Sequence, residues 1–352
     1  MRTQVLTFFF FIQSVIILVF AQIPNGYYDA AVGKSEAQLK TTLSSIISSG
    51  YVTKSYDDLY DIYATSDVTA DGKVWDMYST CTWTPGQKKC GNYSKVCDCY
   101  NREHSIPQSW FSERSPMKSD AFHVYPTDGK VNGQRSNFPF GECSGGTTLA
   151  NGKGRLGTST FSGYLGTVFE PDDEYKGDFA RTYFYFATRY ESIMTTIGGE
   201  SFNNSKYPSF TKWSENLFLK WHRQDPVSEK EINRNNAIYK HQKNRNPFID
   251  YPELAEHIWG TKKNTAWDIN SAVDFPDCAI FFNFDAERKA IKINIDNTDL
   301  TFAIININGQ QIQSGNTQPF SELNVSNISS GIYFITFISS NQIKTTRKFI
   351  IY

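Results

Sequence analysis

The chain of 352 residues carries 35 Lys and Arg against 36 Asp and Glu, a net charge of −1, with 39% hydrophobic and 20% charged residues. That balance excludes a disordered polyelectrolyte, and it excludes binding to nucleic acid or membranes through overall charge, so any polyanion site must be local. The length has room for two domains.

The opening stretch, MRTQVLTFFFFIQSVIILVFAQ, runs from Arg2 through an apolar block to Val19-Phe20-Ala21, with small residues at −3 and −1 of a cut before Gln22. Residues 1–21 read as a secretory signal peptide. The block is shorter than the ~20 residues a spanning helix needs, so no stable membrane insertion is expected. Export permits disulfides, and Cys81, Cys90, Cys97, Cys99, Cys143 and Cys278 are even in number, although sequence does not give their connectivity. Zinc at Cys97 and Cys99 is disfavoured, because the paired C-x2-C spacing is missing.

Residues 35–50 begin with a serine cap and end on glycine, which predicts a short amphipathic helix, and a second helix is predicted over 56–63. Between 69 and 146 the chain is punctuated by Gly, Pro, Asn and Cys, which places loops, short strands and the chemistry there. Residues 177–199 return to helical spacing with apolar residues on more than one face, as in a buried helix. Ser228 and Glu231 stand in capping-box relation and open a long basic helix that stops before Pro247. Beyond about residue 270, alternating β-branched segments and turns such as Asn308-Gly309 predict a separate all-β domain, a small immunoglobulin-like sandwich. The expected organisation is α+β: a mainly helical domain over 22–270, a linker over 271–280 and the sandwich over 281–352.

The stretch CYNREHSIPQSW places Glu103 beside His104, one of five histidines. On an extended strand the two side chains point to opposite faces and cannot easily chelate one ion, so they should have different tasks. A carboxylate suits a hard cation such as Mg2+, and a neutral imidazole suits taking a proton from water. Metal-assisted phosphodiester hydrolysis requires that division. Zinc proteolysis is disfavoured, since Tyr100 stands where an inverted H-x-x-E-H motif needs histidine and Pro107 stops a continuing helix.

Together, NREH, the YPTDGKVNGQRSNFPFGE run, ARTYFYFATRY and NRNPFIDYPELAEHIWG resemble the endonuclease I family of secreted, sequence-nonspecific nucleases with a His-Me finger, or ββα-metal, motif. The likeness covers most of residues 50–260 in order. It implies that His104 is the general base and that Glu103 and Asn132 hold one Mg2+, with Ca2+ or Mn2+ as alternatives. It further implies DNA and RNA as substrates and products bearing a 5'-phosphate and a 3'-hydroxyl. Phe122 departs from the family, where many relatives have histidine, and the insertion that supplies a catalytic arginine in some relatives is not evident. Arg181, in ARTYFY, matches a family position near the substrate, and Arg135, three residues after Asn132, can share a helical face with it. His123 reads as a supporting hydrogen-bond residue.

For substrate binding, Lys220, His222, Arg223, Lys230, Arg234, Lys240, His241, Lys243 and Arg245 concentrate positive charge, with Lys220, Arg223, Lys240, Lys243 and Arg245 the chosen phosphate contacts. Over the last 70 or so residues, LTFAIININGQQIQSG, ELNVSNISSGIYFITF and KTTRKFIIY resemble the sorting domain of type IX secretion. That likeness implies a partnership with secretion machinery and a secreted or surface-attached monomer. A noncatalytic adhesion protein is the competing reading, but adhesion does not call for histidine, carboxylate and asparagine in one segment.

Overall fold

The computed structural model describes residues 23–149, 153–269, 281–285, 290–294, 300–306, 309–317, 321–339 and 344–351. The expected signal peptide, the linker 271–280 with Cys278, and Asn308 lie outside them. The chain divides into two compact units between Trp267 and Asp268. No described helix is long and apolar enough to cross a membrane.

In the first unit, α1 (Glu36–Ser48) turns Leu39, Leu43 and Ile47 inward at four-residue spacing, and α2 (Asp58–Ser66) follows. Strands β1 (Tyr100–His104) and β2 (Val124–Asp128) pair antiparallel, with Glu103 opposite Tyr125 and His104 opposite Val124. Helix α3 (Gly129–Arg135) starts without a loop, because Asp128 ends β2 and also caps the helix by accepting from the Lys130 and Val131 amides at 2.8 and 2.9 Å. A small antiparallel sheet follows: β3 (Thr147–Thr148), β4 (Gly154–Thr158) and β5 (Thr167–Pro171).

Helix α4 (Lys176–Arg189) is buried from Gly177 through Thr188 and packs against α1 and against α5 (Lys212–Gln224). It stops earlier than its apolar spacing suggests, because Tyr190 leaves helical geometry and a 3-10 turn covers Glu191–Thr196. Helix α6 (Glu229–Gln242) has the capping box of Ser228 and Glu231. It ends at Lys243, whose left-handed backbone breaks the helix before Pro247. Pro247 then takes the first position of α7 (Pro247–Asp250), capped by Asn246, and α8 (Leu254–Ile258) follows. The two ends of the unit meet: the Gly33 amide donates to the Trp267 carbonyl and the Trp267 amide to the Lys34 carbonyl, both at 2.7 Å.

In the second unit, β6 (Phe281–Asp285), β7 (Ala290–Asn294) and β10 (Glu322–Asn324) form one antiparallel sheet in the order β10-β7-β6. Strands β8 (Leu300–Asn306), β9 (Gln311–Thr317), β11 (Gly331–Ser339) and β12 (Lys344–Ile351) form another, in the order β12-β11-β8-β9. Ile291 and Leu323 from the first sheet and Phe302, Ile304, Ile335 and Ile351 from the second share one apolar core. The whole is therefore α+β, with a helical first unit and an all-β second one.

Candidate active site

Period-two alternation along β1 sorts its side chains into two sets with no partner in common. Asn101 and Glu103 meet α3: the Asn132 amide nitrogen donates to Asn101 Oδ1 at 2.7 Å, and Arg135 Nη1 donates to Glu103 Oε1 at 2.8 Å. Arg102 and His104 instead meet Tyr56, the guanidinium carbon 3.5 Å from its ring centre and the imidazole centroid 5.8 Å away. All seven of these residues line one cavity of about 300 Å³.

Glu103 is 2% exposed, and its Oε1 accepts from both Tyr78 Oη and Arg135. Oε2 has no hydrogen-bond partner among the described residues and is not sealed in the interior. Burial pushes the carboxyl above its ordinary pKa, while Arg135 and the Tyr78 hydroxyl oppose the shift. Because the Asn132 nitrogen is tied to Asn101, its Oδ1 is directed away from that bond and has no donor among the described residues. Two hard oxygen atoms are thus available in the cavity, a donor set that fits Mg2+, Mn2+ or Ca2+. Close packing fixes α3: a Cβ on Gly133 would run into the Tyr93 hydroxyl, and one on Gly129 into Cys90 Sγ.

His104 is 4% exposed. Its Nε2 lies 2.9 Å from the Lys118 carbonyl, which only accepts, so Nε2 carries the proton and Nδ1 the lone pair. Nδ1 has no partner among the described residues and is not sealed off. Burial, helped by His123, lowers the imidazole pKa to about 3, which keeps the ring neutral. Behind it, His123 is fully buried, with Nε2 2.6 Å from the Met117 carbonyl and its ring 5.7 Å from that of His104. It packs against the His104 ring, with no hydrogen bond between the two among the described residues. The 116–123 segment that carries these carbonyls is anchored by Asp120, which accepts from Tyr185, Tyr190 and Gln242.

The two arginines chosen from sequence fare differently. Arg135 lines the cavity with Asn132, but it is 1% exposed and its Nη atoms are held by Glu103 and the carbonyls of His104 and Ser105. Arg181 does not join the cavity lining. It is fully buried, with Nε and Nη2 on the two Glu231 oxygens at 2.5 and 2.7 Å and Nη1 on the Asp225 carbonyl. Position in the sequence could not reveal that the capping glutamate of α6 is its partner.

None of the five chosen phosphate contacts lines the cavity either. Lys220 pairs with Glu142 and Arg223 with Glu256, while Lys240 and Lys243 are exposed. Arg245 is buried in a two-bond pair with Asp250. Among the cavity residues that sequence reasoning did not single out are Asn101, Arg102 and Tyr56. Alternation from Glu103 and His104 would have flagged the first two.

Cys81 is bridged to Cys97 and Cys90 to Cys99, which removes the C-x-C thiols as zinc ligands. Asp128 accepts from the Cys97 amide at 2.7 Å and so joins this bridged loop to the start of α3.

A neutral imidazole with an open nitrogen, beside free carboxylate and amide oxygens, is the equipment of a hydrolase that couples a proton acceptor to oxygen ligands. Residues 35–253 match the Endonuclease I family, and residues 287–352 match the secretion system C-terminal sorting domain. The chain is 36% identical over 239 residues to an extracellular ribonuclease of Bacillus subtilis, covering 66% of this chain and 78% of that protein. Identity to the extracellular ribonuclease of Bacillus amyloliquefaciens is also 36%, over 247 residues, with the same coverages. An extracellular deoxyribonuclease of Aeromonas hydrophila is 27% identical over 177 residues, 48% of this chain and 57% of that protein. The chain belongs to the Endonuclease I family. It is a nuclease, secreted or held at the cell surface, of a family that is in general metal-dependent.

Proposed function

We propose that the protein is a Mg2+-dependent, sequence-nonspecific endonuclease that hydrolyses DNA and RNA to products with a 5'-phosphate and a 3'-hydroxyl. His104 acts as general base, and Glu103 and Asn132 hold the ion, for which Ca2+ or Mn2+ can substitute. The observation that carries this reading is the meeting in one cavity of an open His104 Nδ1, a free Glu103 Oε2 and a free Asn132 Oδ1. Both ribonucleases and deoxyribonucleases among the relatives support a substrate range spanning the two nucleic acids. The succession β1, β2, α3 supports a His-Me finger, and the paired sheets of the second unit support an immunoglobulin-like sandwich that partners the secretion machinery.

When bound, the ion would neutralise charge on the scissile phosphate and on the departing 3'-oxygen. His104 Nδ1 takes a proton from the attacking water, and the Lys118 carbonyl, accepting from Nε2, holds the productive tautomer and stabilises the imidazolium. A low pKa keeps the base unprotonated before substrate binds, and an adjacent phosphate then favours the cation. Arg135 fixes the Glu103 carboxylate and the carbonyl edge of β1, so the ligand and the base keep their relation. Asn101 orients the Asn132 amide.

The test is degradation of plasmid DNA and of RNA by the wild type with Mg2+, the wild type with chelator, and His104→Ala with Mg2+. Both substrates should survive in the latter two reactions, and cleavage by the alanine variant at the wild-type rate removes His104 from the role of base.

A further inference from the structure

We propose that Arg102 is the cation that contacts the scissile phosphate, a role resting on the reading of the cavity as the nuclease site. Among the described residues only Arg102 and Arg135 bring Lys or Arg side chains to the cavity lining, and Arg135 has its Nη groups occupied and its Nε sealed in the interior. Arg102 differs. Its Nη1 donates to the Tyr56 carbonyl and to Asp57 Oδ1, both at 2.8 Å, and the Tyr56 hydroxyl also interacts with the guanidinium, while Nε and Nη2 make no hydrogen bond of good geometry among the described residues and are not sealed off. Those N–H groups form one edge of the planar fork that matches phosphate oxygens.

Placement supports the assignment. Arg102 stands two residues before His104, on the same face of β1, and both flank the Tyr56 ring. Tyr60 supports the guanidinium from another side, with its ring centre 4.6 Å from the guanidinium carbon. Stacking of this kind orients the fork without occupying its free edge. Among the described residues the one carboxylate on Arg102 is Asp57, which is 92% exposed, so solvent screens the pair and substrate phosphate can compete with it. Tyr56 is accordingly a positioning residue for base and cation alike.

Arg102→Gln should lower kcat/KM by about 10²–10³, the usual loss when one donor to a developing oxyanion is removed. Its Mg2+ half-saturation should stay near the wild-type value, because neither free oxygen ligand is touched. Binding to duplex DNA in the inactive His104→Ala background isolates the contact itself: adding Arg102→Gln should reduce the slope of log K against log salt by ~0.9, the value of one phosphate contact. Arg102→Lys, which keeps the charge and loses the fork, should keep that slope and recover part of the rate. A kcat/KM of Arg102→Gln within about threefold of wild type, or an unchanged salt slope, overturns the assignment. If the cavity reading itself were wrong, His104→Ala would cut at the wild-type rate; if only the role of Arg102 were wrong, His104→Ala would be inactive while Arg102→Gln stayed active or kept its salt slope.

Discussion

Arg135 Nη1 and Glu103 Oε1 stand 2.8 Å apart, almost sealed from solvent, and this pair joins α3 to β1 at the floor of the cavity. Removing one member leaves the other as an uncompensated buried charge. Arg135→Met should therefore cost about 3–5 kcal/mol in urea unfolding, and the double variant with Glu103→Met should cost less than the single one. A loss below about 1 kcal/mol for the single variant would mean that the pair does little to hold the site together.

Asn101 lines the cavity and accepts from the Asn132 amide at 2.7 Å, so its role in orienting that amide can be separated from folding. Asn101→Ala should raise the Mg2+ concentration for half-maximal activity about 10–100-fold, with kcat recovered at saturating ion. Calorimetric titration of Mg2+ into the variant checks the same shift without turnover, and an unaltered affinity would show that the amide needs no such guide.

Arg181 and Glu231 lie fully inside the helical unit, outside the cavity lining. Arg181→Met should destabilise by about 3–5 kcal/mol and yet leave kcat/KM of the folded fraction within about threefold of wild type. Loss of activity in a sample whose circular dichroism shows full folding would return this arginine to the path of the substrate.

His222 supplies a pH dependence of known sign. Its Nε2 donates to the Pro252 carbonyl at 3.0 Å, Nδ1 faces Arg181 Nη1, and burial followed by the arginine lowers its pKa to about 3. Since the unfolded chain binds this proton near pH 6.5 and the folded chain does not, stability falls as pH drops below 6.5 toward 3, by at most about 1.4 kcal/mol per unit from this group. His222→Gln, which can still donate to the carbonyl and accept from Arg181, should flatten the unfolding free energy between pH 6 and 4. An identical acid slope in both proteins would assign the effect to other groups.

Local grammar carried the sequence reading a long way. Leu39, Leu43 and Ile47 announce α1, Ser228 and Glu231 announce α6, and the adjacency of Glu103 and His104 on a strand implies separate tasks for separate faces. What stayed hidden depends on partners remote in the chain. Glu231 caps its own helix and also holds Arg181, fifty positions away, and Arg102 finds its stacking ring 46 residues upstream. The positive run from residue 220 reads as an open face because nothing nearby reveals that Glu142 and Glu256 engage Lys220 and Arg223, 78 and 33 residues away. Such pairings are products of tertiary folding, and helical periodicity does not encode them.

The clasp between Lys34 and Trp267 has a bearing on maturation. Among the described residues the two backbone bonds of this clasp are complete at residue 267, so a peptidase cutting further along would leave both of them in place. The same clasp sets start and finish side by side, so a short engineered splice across it should let new termini be opened in a surface loop far from the cavity.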